Sequence, residues 1–410
     1  MSSDRRPGLR STAVRTANLS TILRTLHLDG ATSRSDLVAE TGLTRTAVGA
    51  LATELQQNGL VFETTPQPGG GPGRPSPIVT PDATHNVVLA VDLMVDSIGV
   101  MAVGLGGSVL RSVRRDRARY GLEETLNDAV ALIDSVRGSL DPGCRLFGLG
   151  IAVPGLVREA DRSVVLAPNL GWTEIDIIAR LRKPFEPGFP ITVANEANLG
   201  ALAESRRGAA AGHRDVLYLS GEVGVGGGVL VDGRPLTGGF GYAGEVGHIP
   251  VRMDGRPCRC GARGCLETEI GEETLLERVA SAKDEAATEP DEPTIEWLLD
   301  AAAGGDRAVL DALDEHAGWL AFGLAGLMNV LNPTAVVIGG LLADLFPYVE
   351  PSLLAELDRR LFPVVPELQR DITVIASALG VDAPAIGAAE LIWDTVLDQG
   401  LIESTVLRSA

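Results

Sequence analysis

The chain has 410 residues, 45% of them hydrophobic and only 4% aromatic, which is enough for roughly two or three domains with cores built from small aliphatic side chains. A net charge of −19 would repel nucleic acid if it were evenly spread. The polar, arginine-bearing N-terminus lacks the apolar stretch of a secretory signal, and four cysteines are too few for a disulfide-stapled secreted protein, so we expect a cytoplasmic protein.

The charge is unevenly distributed along the chain. Residues 1–76 hold eight arginines against six acids, a net charge of +2, so the remainder carries −21. This asymmetry predicts one module that tolerates a polyanion, joined to an acidic body.

Residues 1–80 begin with three predicted helices. The first has apolar residues at helical spacing: Leu19, Ile22, Leu23 and Leu26. The second begins at Ser33, whose hydroxyl can cap the helix with Asp36 three residues on, and ends at Gly42. The third begins at Thr44 and stops at Gly59. This order predicts a helix-turn-helix.

A wing follows the three helices. Two short strands, 60–63 and 78–80, are joined by a Gly/Pro-rich loop whose one charged residue is Arg74. An extended arm can push such a guanidinium into a minor groove, although a plain flexible linker is the alternative for the loop alone. The first turn of the third helix presents Thr44, Arg45 and Thr46 to a major groove. Arg45 can bond guanine or clamp a phosphate, and a solvated surface arginine is the alternative.

From residue 87 onward, short apolar runs alternate with helical patterns, which predicts an α/β fold. The predicted strands are 87–92, 98–103, 146–153, 191–194, 216–219, 226–231 and 335–338. The predicted helices are 122–138, 196–208, 268–282, 293–330 with breaks, and 384–397.

One uncharged stretch, 317–343, is long enough to cross a bilayer. Asn329, Asn332 and Pro333 interrupt it, so we interpret it as a buried helix followed by a buried strand and expect no membrane association.

Four metal-ligating side chains lie within 18 residues: His248, Cys258, Cys260 and Cys265. Together they supply a complete tetrahedral shell for one structural Zn²⁺, and Gly261 and Gly264 allow the sharp turns between them. A loop of unrelated reduced thiols is the alternative. Cys144, alone in an apolar setting, is predicted to be a small core residue.

The spacing His-x9-Cys-x-Cys-x4-Cys followed by Leu-Glu resembles the zinc signature of the ROK family, which groups sugar kinases, open reading frames and transcriptional repressors. Other family landmarks recur from about residue 12 to about residue 390. The resemblance implies a winged helix-turn-helix domain over 1–80 and an actin-like body of two lobes with a cleft between them. The expected lobes are 81–195 plus 384–410, and 196–383, the second carrying the zinc knuckle.

The resemblance also implies a sugar site at Gly155, Asn169, Asn195, Glu196, Glu245, His248 and Glu267. Glu196 replaces the aspartate that acts as base in the family's kinases, and an error of about 1 Å in that carboxylate can cost about a hundredfold in rate. Trp172 could stack on the sugar or lie in the core. We expect no catalytic residue.

Two phosphate loops of the family's kinases are altered in this chain. Residues 92–96 stand where those kinases have Asp-x-Gly-Gly-Thr, so that Met94 and Val95 replace the glycines and Asp96 the threonine. Glu222 would face the phosphates from the second loop, where like charges repel. These departures predict that the protein does not use ATP.

The sequence therefore predicts a sugar-responsive DNA-binding regulator, a repressor of carbohydrate uptake or metabolism genes. Its expected partners are operator DNA, a sugar or sugar-phosphate effector, and further copies of itself in a homodimer or dimer of dimers. An active ROK sugar kinase with a DNA-binding appendage is the alternative, and a purely structural adaptor is a third hypothesis.

Overall fold

The N-terminal part of the computed structural model is a winged helix-turn-helix. The structure describes residues 11–65, 75–117, 121–221, 223–282, 293–361 and 372–398. The N-terminal helices are α1 (Ser11–Asp29), α2 (Arg34–Thr41) and α3 (Arg45–Gln57). The strands are β1 (Thr32–Ser33), β2 (Val61–Thr64) and β3 (Ile78–Pro81), in the order β1-β3-β2. The helices and wing strands are as predicted, and Arg74 lies outside the described residues.

Local capping explains where these helices begin and end. The Ser33 hydroxyl accepts a hydrogen bond from the Asp36 amide at 3.1 Å, and Gly42, with φ of 68°, closes α2. The Thr44 hydroxyl accepts from the Ala47 amide at 3.2 Å and starts α3. The apolar side chains predicted on α1 are all buried.

The body contains two five-stranded sheets. The first has the order β11-β7-β4-β5-β6, in which β4, β7 and β11 run parallel. Its strands are β4 (Asn86–Leu93), β5 (Ser97–Gly104), β6 (Val109–Asp116), β7 (Arg145–Val153) and β11 (Ile191–Asn195). Helix α4 (Leu122–Gly138) covers it. Between β7 and β11 lie the short elements β8 (Leu156–Val157), β9 (Val164–Ala167), β10 (Trp172–Ile175) and α5 (Ile177–Leu181).

The second sheet has the order β14-β13-β12-β15-β16. Its strands are β12 (Val216–Gly221), β13 (Val225–Val231), β14 (Arg234–Pro235), β15 (Ala335–Gly340) and β16 (Thr373–Ala376). Its core is built with the helices α7 (Glu267–Ile270), α8 (Glu272–Ala282), α9 (Ile295–Ala303), α10 (Arg307–Leu331) and α11 (Leu341–Arg360).

A pair of helices joins the two sheets. Helix α6 (Glu196–Arg207) packs on β12 and β13, whereas α12 (Ala383–Asp398) packs on β4 and β7. The helices touch at backbone distance, because a Cβ added at Gly387 would lie 2.0 Å from the Leu199 carbonyl oxygen. A movement of one sheet against the other would therefore disturb this helix contact.

The uncharged stretch 317–343 is divided between α10 and β15, as predicted. Asn332, with φ of 48°, ends α10. Among the described residues, no helix is long and apolar enough to span a bilayer.

Two long elements, β6 and α11, do not appear among the predictions, and neither do several short ones: β1, β8, β9, β10, α5, β14 and β16. Strand β6 exposes most of its side chains, so it lacks the alternating apolar pattern of a half-buried strand. Helix α11 contains Pro347 and Pro351, which remove backbone donors and argue against a helix in sequence. Burial of its apolar face, including Leu345 and Leu353, holds it in place.

Candidate functional site

The predicted metal ligands converge in the structure. The potential ligand atoms of His248, Cys258, Cys260 and Cys265 all lie within 4.8 Å of one another. His248 ends a single 3-10 turn, and the three cysteines lie in the tight loop before α7. Gly264, with φ of 68°, passes so close to the Arg252 carbonyl that a side chain would collide with it.

The spacing within this cluster fits a tetrahedral zinc shell. The Cys260 and Cys265 sulfurs are 3.7 Å apart, and the Cys258 sulfur is 3.6 Å from His248 Nδ1. Zinc bonds of about 2.3 Å to sulfur and about 2.0–2.1 Å to nitrogen put tetrahedral S–S and S–N separations at about 3.8 and 3.6 Å. Four protein ligands would leave no position for an activated water, so the group suits a structural ion.

Two carboxylates flank the cluster. Glu245 Oε2 lies 3.8 Å from His248 Nε2, and Glu267 Oε1 lies 2.8 Å from the Cys258 sulfur. Burial, and then Glu267, raise the pKa of the Cys258 thiol. A bound cation reverses that preference, since a coordinated thiol is deprotonated. Ligation through Nδ1 would fix the ring and direct Nε2 towards Glu245.

Asn195 and Glu196 lie at the N-terminus of α6. The Asn195 amide oxygen accepts from the Ala197 and Asn198 amides, and its Nδ2 donates to the Gly155 carbonyl and to Glu196 Oε2. These four bonds use its full hydrogen-bonding capacity. In this structure Asn195 therefore acts as the helix cap that orients Glu196.

The Glu196 carboxyl is mostly removed from water. Its pKa is raised to about 8, first by burial and then by the Glu245 and Asp92 carboxylates. At neutral pH it is largely protonated, so it can donate a hydrogen bond to a hydroxyl as well as accept one.

Gly155 and Asn169 lie between β7 and β10, Gly155 in the turn just before β8 and Asn169 in a single 3-10 turn between β9 and β10. Gly155 has φ of 143°, and a Cβ there would lie 2.4 Å from the Leu166 carbonyl oxygen, so only glycine fits. Asn169 is exposed, and no contact joins it to the other predicted site residues among those described. Trp172 is buried in the core of the first sheet, which favours the core alternative over sugar stacking.

The segment that corresponds to the first phosphate loop is occupied by protein groups. Asp92, fully buried at the end of β4, accepts a hydrogen bond from Arg114 on β6 at 2.9 Å. The Met94 amide donates to the Ser97 carbonyl at 3.0 Å and is not free for a phosphate. Burial raises the pKa of Asp92 to about 6 although Arg114 opposes the rise. Glu222 lies outside the described residues.

The predicted DNA-reading residues are at the surface. Thr44, Arg45 and Thr46 are exposed on the first turn of α3. Within the described ranges no hydrogen bond or ion pair involves the Arg45 side chain, whereas Arg15 and Arg34 bind Glu54 and Glu63. Arg45 is therefore available for an anionic partner.

Sequence reasoning did not single out two groups of residues. Arg114 was missed because only the pairing of β5 with β6 brings it over Gly99, beside Asp92. A charged cluster at the other end of α6 was also missed; it contains His27, Arg206, Arg207, Glu390 and Asp394. The adjacent arginines in the last turn of α6 were the available signal.

Comparisons with known proteins place this architecture. The sequence model of the ROK family matches residues 88–395. The xylose repressor of Bacillus spizizenii is 29% identical over 389 residues, covering 94% of this chain and 97% of that protein. The glucokinase of Thermotoga maritima is 30% identical over 320 residues, covering 75% of this chain and 98% of that protein.

Solved structures show the same difference in coverage between a transcriptional regulator and a kinase. A ROK family transcriptional regulator, a homologue of the E. coli MLC protein, has a TM-score of 0.79 and 27% identity, with 96% of this chain and 99% of that chain covered. A ROK family glucokinase from Streptomyces griseus, in complex with glucose and AMPPNP, has a TM-score of 0.63 and 28% identity, covering 74% of this chain and 98% of that chain. Because the sequence model of the ROK family matches the whole body and the fold agrees with solved members, the chain belongs to the ROK family.

Proposed function

We propose that this protein is a sugar-responsive transcriptional repressor that acts on carbohydrate uptake or metabolism genes. The observation that carries the proposal is the share of this chain that each relative matches. The xylose repressor and the MLC homologue match 94% and 96% of the chain, including the winged helix-turn-helix, whereas the two glucokinases match 75% and 74%. The DNA-reading turn would be Thr44, Arg45 and Thr46, with Arg74 on the wing.

The body would bind sugar without phosphorylating it. Arg114 pairs with Asp92 where the family's kinases place their first phosphate loop, and Met94 and Asp96 replace small or hydroxyl residues there. The base position holds Glu196, whose raised pKa suits hydrogen bonding to a hydroxyl.

The effector would be a neutral sugar. Glu196, Glu245 and Glu267 surround the predicted pocket, and the carboxylates of Glu245 and Asp92 already help to raise the pKa of Glu196. A phosphate placed among these groups would add repulsion, while sugar hydroxyls can both donate to and accept from carboxyl oxygens.

The metal would be Zn²⁺, one per chain, with a structural role. The His/Cys₃ donor set and its spacing support this assignment. The zinc would hold the loop that carries Glu245 and Glu267. Operator binding would use two copies of the chain, as a homodimer or a dimer of dimers, because a helix-turn-helix reads paired half-sites.

The direct test uses a DNA duplex selected by the full chain from a randomised pool. In gel shifts, Arg45→Ala should weaken binding by roughly 1–3 kcal/mol. Arg15→Ala is the matched control, because this arginine is also exposed but pairs with Glu54 on the far part of α3. Equal affinity of wild type and Arg45→Ala would remove Arg45 from the DNA interface.

A second assay separates the repressor from the kinase alternative. Pure protein should bind D-xylose or D-glucose in a thermal-shift screen, since a ligand of the native state raises its stability. It should not transfer phosphate from ATP to either sugar. Transfer that disappears in Glu196→Gln would establish the kinase function instead.

A further inference from the structure

The two ends of α6 lie in different functional regions. Its N-terminus presents Glu196 to the predicted sugar pocket, capped by Asn195. Its last turn presents Arg207 to the DNA-binding unit and Arg206 to α12. At about 1.5 Å of rise per residue, the helix spans about 17 Å between them.

Arg207 contacts three elements at once. Its Nη2 donates to the His27 carbonyl at the C-terminus of α1 at 2.8 Å, and its Nε donates to Glu390 Oε1 on α12 at 2.8 Å. The guanidinium also covers the turn between β5 and β6, where a Cβ on Gly107 would lie 2.5 Å from Arg207 Cζ. A cation at the carboxyl end of α1 also complements the helix dipole.

The surroundings of this contact are buried and closely bonded. Glu390 and His27 are each 1% exposed and lie 3.1 Å apart through Oε2 and Nε2. Arg206 donates to Glu390 Oε2 at 3.2 Å, and the Gly106 amide donates to His27 Nδ1 at 3.0 Å. Hydrogen bonds weaken steeply beyond about 3.2 Å, so a shift of α6 by about 1 Å would break this arrangement.

Helix α1 has a second attachment, to α12, in which Asp394 is shared with Arg206 on α6. Arg24 binds Asp394 and Asp398 on α12, and the Ser20 hydroxyl donates to the Leu397 carbonyl at 2.6 Å. The DNA-binding unit is thus tied to the first sheet through α12 and to the second sheet through Arg207 on α6.

We infer that α6 transmits sugar binding to the DNA-binding unit, with Arg207 as the positioning residue at its far end. The inference rests on the proposed function, because it needs a sugar in the pocket and an operator at α3. A sugar bound between Glu196, which directly follows β11 of the first sheet, and Glu245, on the loop that follows β14 of the second sheet, would draw the sheets together. Helix α6 would then slide along α12, and Arg207 would leave the α1 carbonyl, releasing the orientation that fits the operator.

The test measures operator affinity of the full chain with and without D-xylose or D-glucose, whichever raises the wild-type melting temperature. Wild type should lose roughly 5–150-fold in affinity on adding sugar. In Arg207→Gln, sugar should still bind, but operator affinities with and without it should agree within about twofold. Reciprocally, operator DNA should change sugar affinity in wild type and not in the variant.

Arg24→Gln is the matched control. It removes an arginine that joins α1 to α12 and makes no contact with α6 itself, and it leaves Asp394 paired with Arg206, so it should keep the wild-type response to sugar. Glu390 keeps Arg206 and His27 as partners in Arg207→Gln, which protects the variant against unfolding. Arg207→Lys, which keeps the charge without the forked geometry, should respond weakly.

The outcomes are distinct. If sugar weakened operator binding by Arg207→Gln as much as by wild type, the role of α6 would be overturned. If Arg24→Gln lost its response to sugar as fully as Arg207→Gln, the role of α6 would also be overturned, because the response would then depend on the docking of α1 in general. In wild type, hydrogen exchange at residues 26–30 should rise when sugar binds; unchanged exchange there would also count against the inference. No response of wild-type operator binding to either sugar would instead remove the proposed function itself.

Discussion

We call the surroundings of Glu245, His248 and Glu267, where zinc is proposed, the zinc side, and the surroundings of residues 92–96, aligned by family resemblance with a phosphate loop, the phosphate-loop side. The two sides differ in how many of their polar groups remain free to bind a ligand. On the zinc side, Glu245 and His248 project from a compact loop. The pKa of the Glu196 carboxyl is raised, and its oxygens can still form hydrogen bonds with a ligand. On the phosphate-loop side, Arg114 binds Asp92 and the Met94 amide is already bonded.

Under the proposed function, the difference identifies the phosphate subsite as the part of a kinase site that a regulator can lose. A phosphate subsite needs free amides and little negative charge, so one arginine pairing and one closed turn are enough to fill it. A polyol subsite needs only fixed donors and acceptors, which a rigid loop can supply without catalysis. The following variants test this contrast, from the largest expected effect to the smallest.

Removing a metal ligand should have the largest effect. Cys260→Ser should reduce bound zinc well below one per chain and lower the free energy of unfolding by more than about 4 kcal/mol, because metal binding contributes directly to folding. Metal analysis and denaturant titration measure both quantities. Cys144→Ser is the control, because this thiol lies outside the cluster and bonds the Thr84 carbonyl. A wild-type protein that is as stable without zinc as with it would contradict the prediction.

On the phosphate-loop side, Arg114→Ala should affect stability and not sugar binding. It leaves a buried Asp92 unpaired, so we expect a loss of about 3 kcal/mol at alkaline pH. The loss should shrink as pH falls, because the variant raises the Asp92 pKa further above about 6 and protonation relieves the unpaired charge. Arg115→Ala, at the neighbouring exposed position, is the control. Denaturant titration checks stability, and a tenfold change in sugar affinity would break the contrast between the two sides.

On the zinc side, Glu245→Ala should affect sugar binding and not stability. Losing a hydrogen bond that a sugar hydroxyl donates to a charged acceptor costs about 1.5–3 kcal/mol, which corresponds to roughly 10–150-fold weaker binding. Calorimetry with the sugar identified by thermal shift measures the change. Glu315→Ala, an exposed acid on α10, is the matched control. Unaltered affinity in Glu245→Ala would exclude this carboxylate from the pocket.

The smallest effect concerns the pH dependence of stability. Because the folded pKa of Glu196 is raised from 4.5 to about 8, the folded state holds a proton that the unfolded chain releases. Its stabilising contribution is complete below about 4.5 and is lost as pH rises towards about 8. Glu196→Gln should therefore gain stability relative to wild type as pH rises through this window, by roughly 1 kcal/mol per pH unit. Parallel unfolding curves at each pH check it, and a constant difference would refute the raised pKa.

Prediction from sequence succeeded where neighbours in sequence are neighbours in space. The caps at Ser33 and Thr44 depend on amides three residues away, so a local pattern was sufficient. The four metal ligands lie within 18 residues, and their convergence needed only tight turns at glycines. The alternation of strands and helices predicted the α/β body for the same reason.

Prediction was incomplete where distant segments meet. The saturation of Asn195 depends on the Gly155 carbonyl, 40 positions away in sequence. Helix α11 is stabilised by burial against the second sheet, which outweighs the two prolines that argue against a helix.

The sequence by itself determined the local chemistry of this protein: a capped first turn of α3 at residues 44–46, a His/Cys₃ cluster, and acidic residues in the pattern of the ROK family. Only the tertiary structure decided that Arg114 covers Asp92 and that α6 runs from Glu196 to the DNA-binding unit. The physical reason is that such contacts depend on sheet register and helix packing. The network of Arg207, Glu390 and His27 joins residues 180 and 183 positions apart, and no local spacing encodes that meeting.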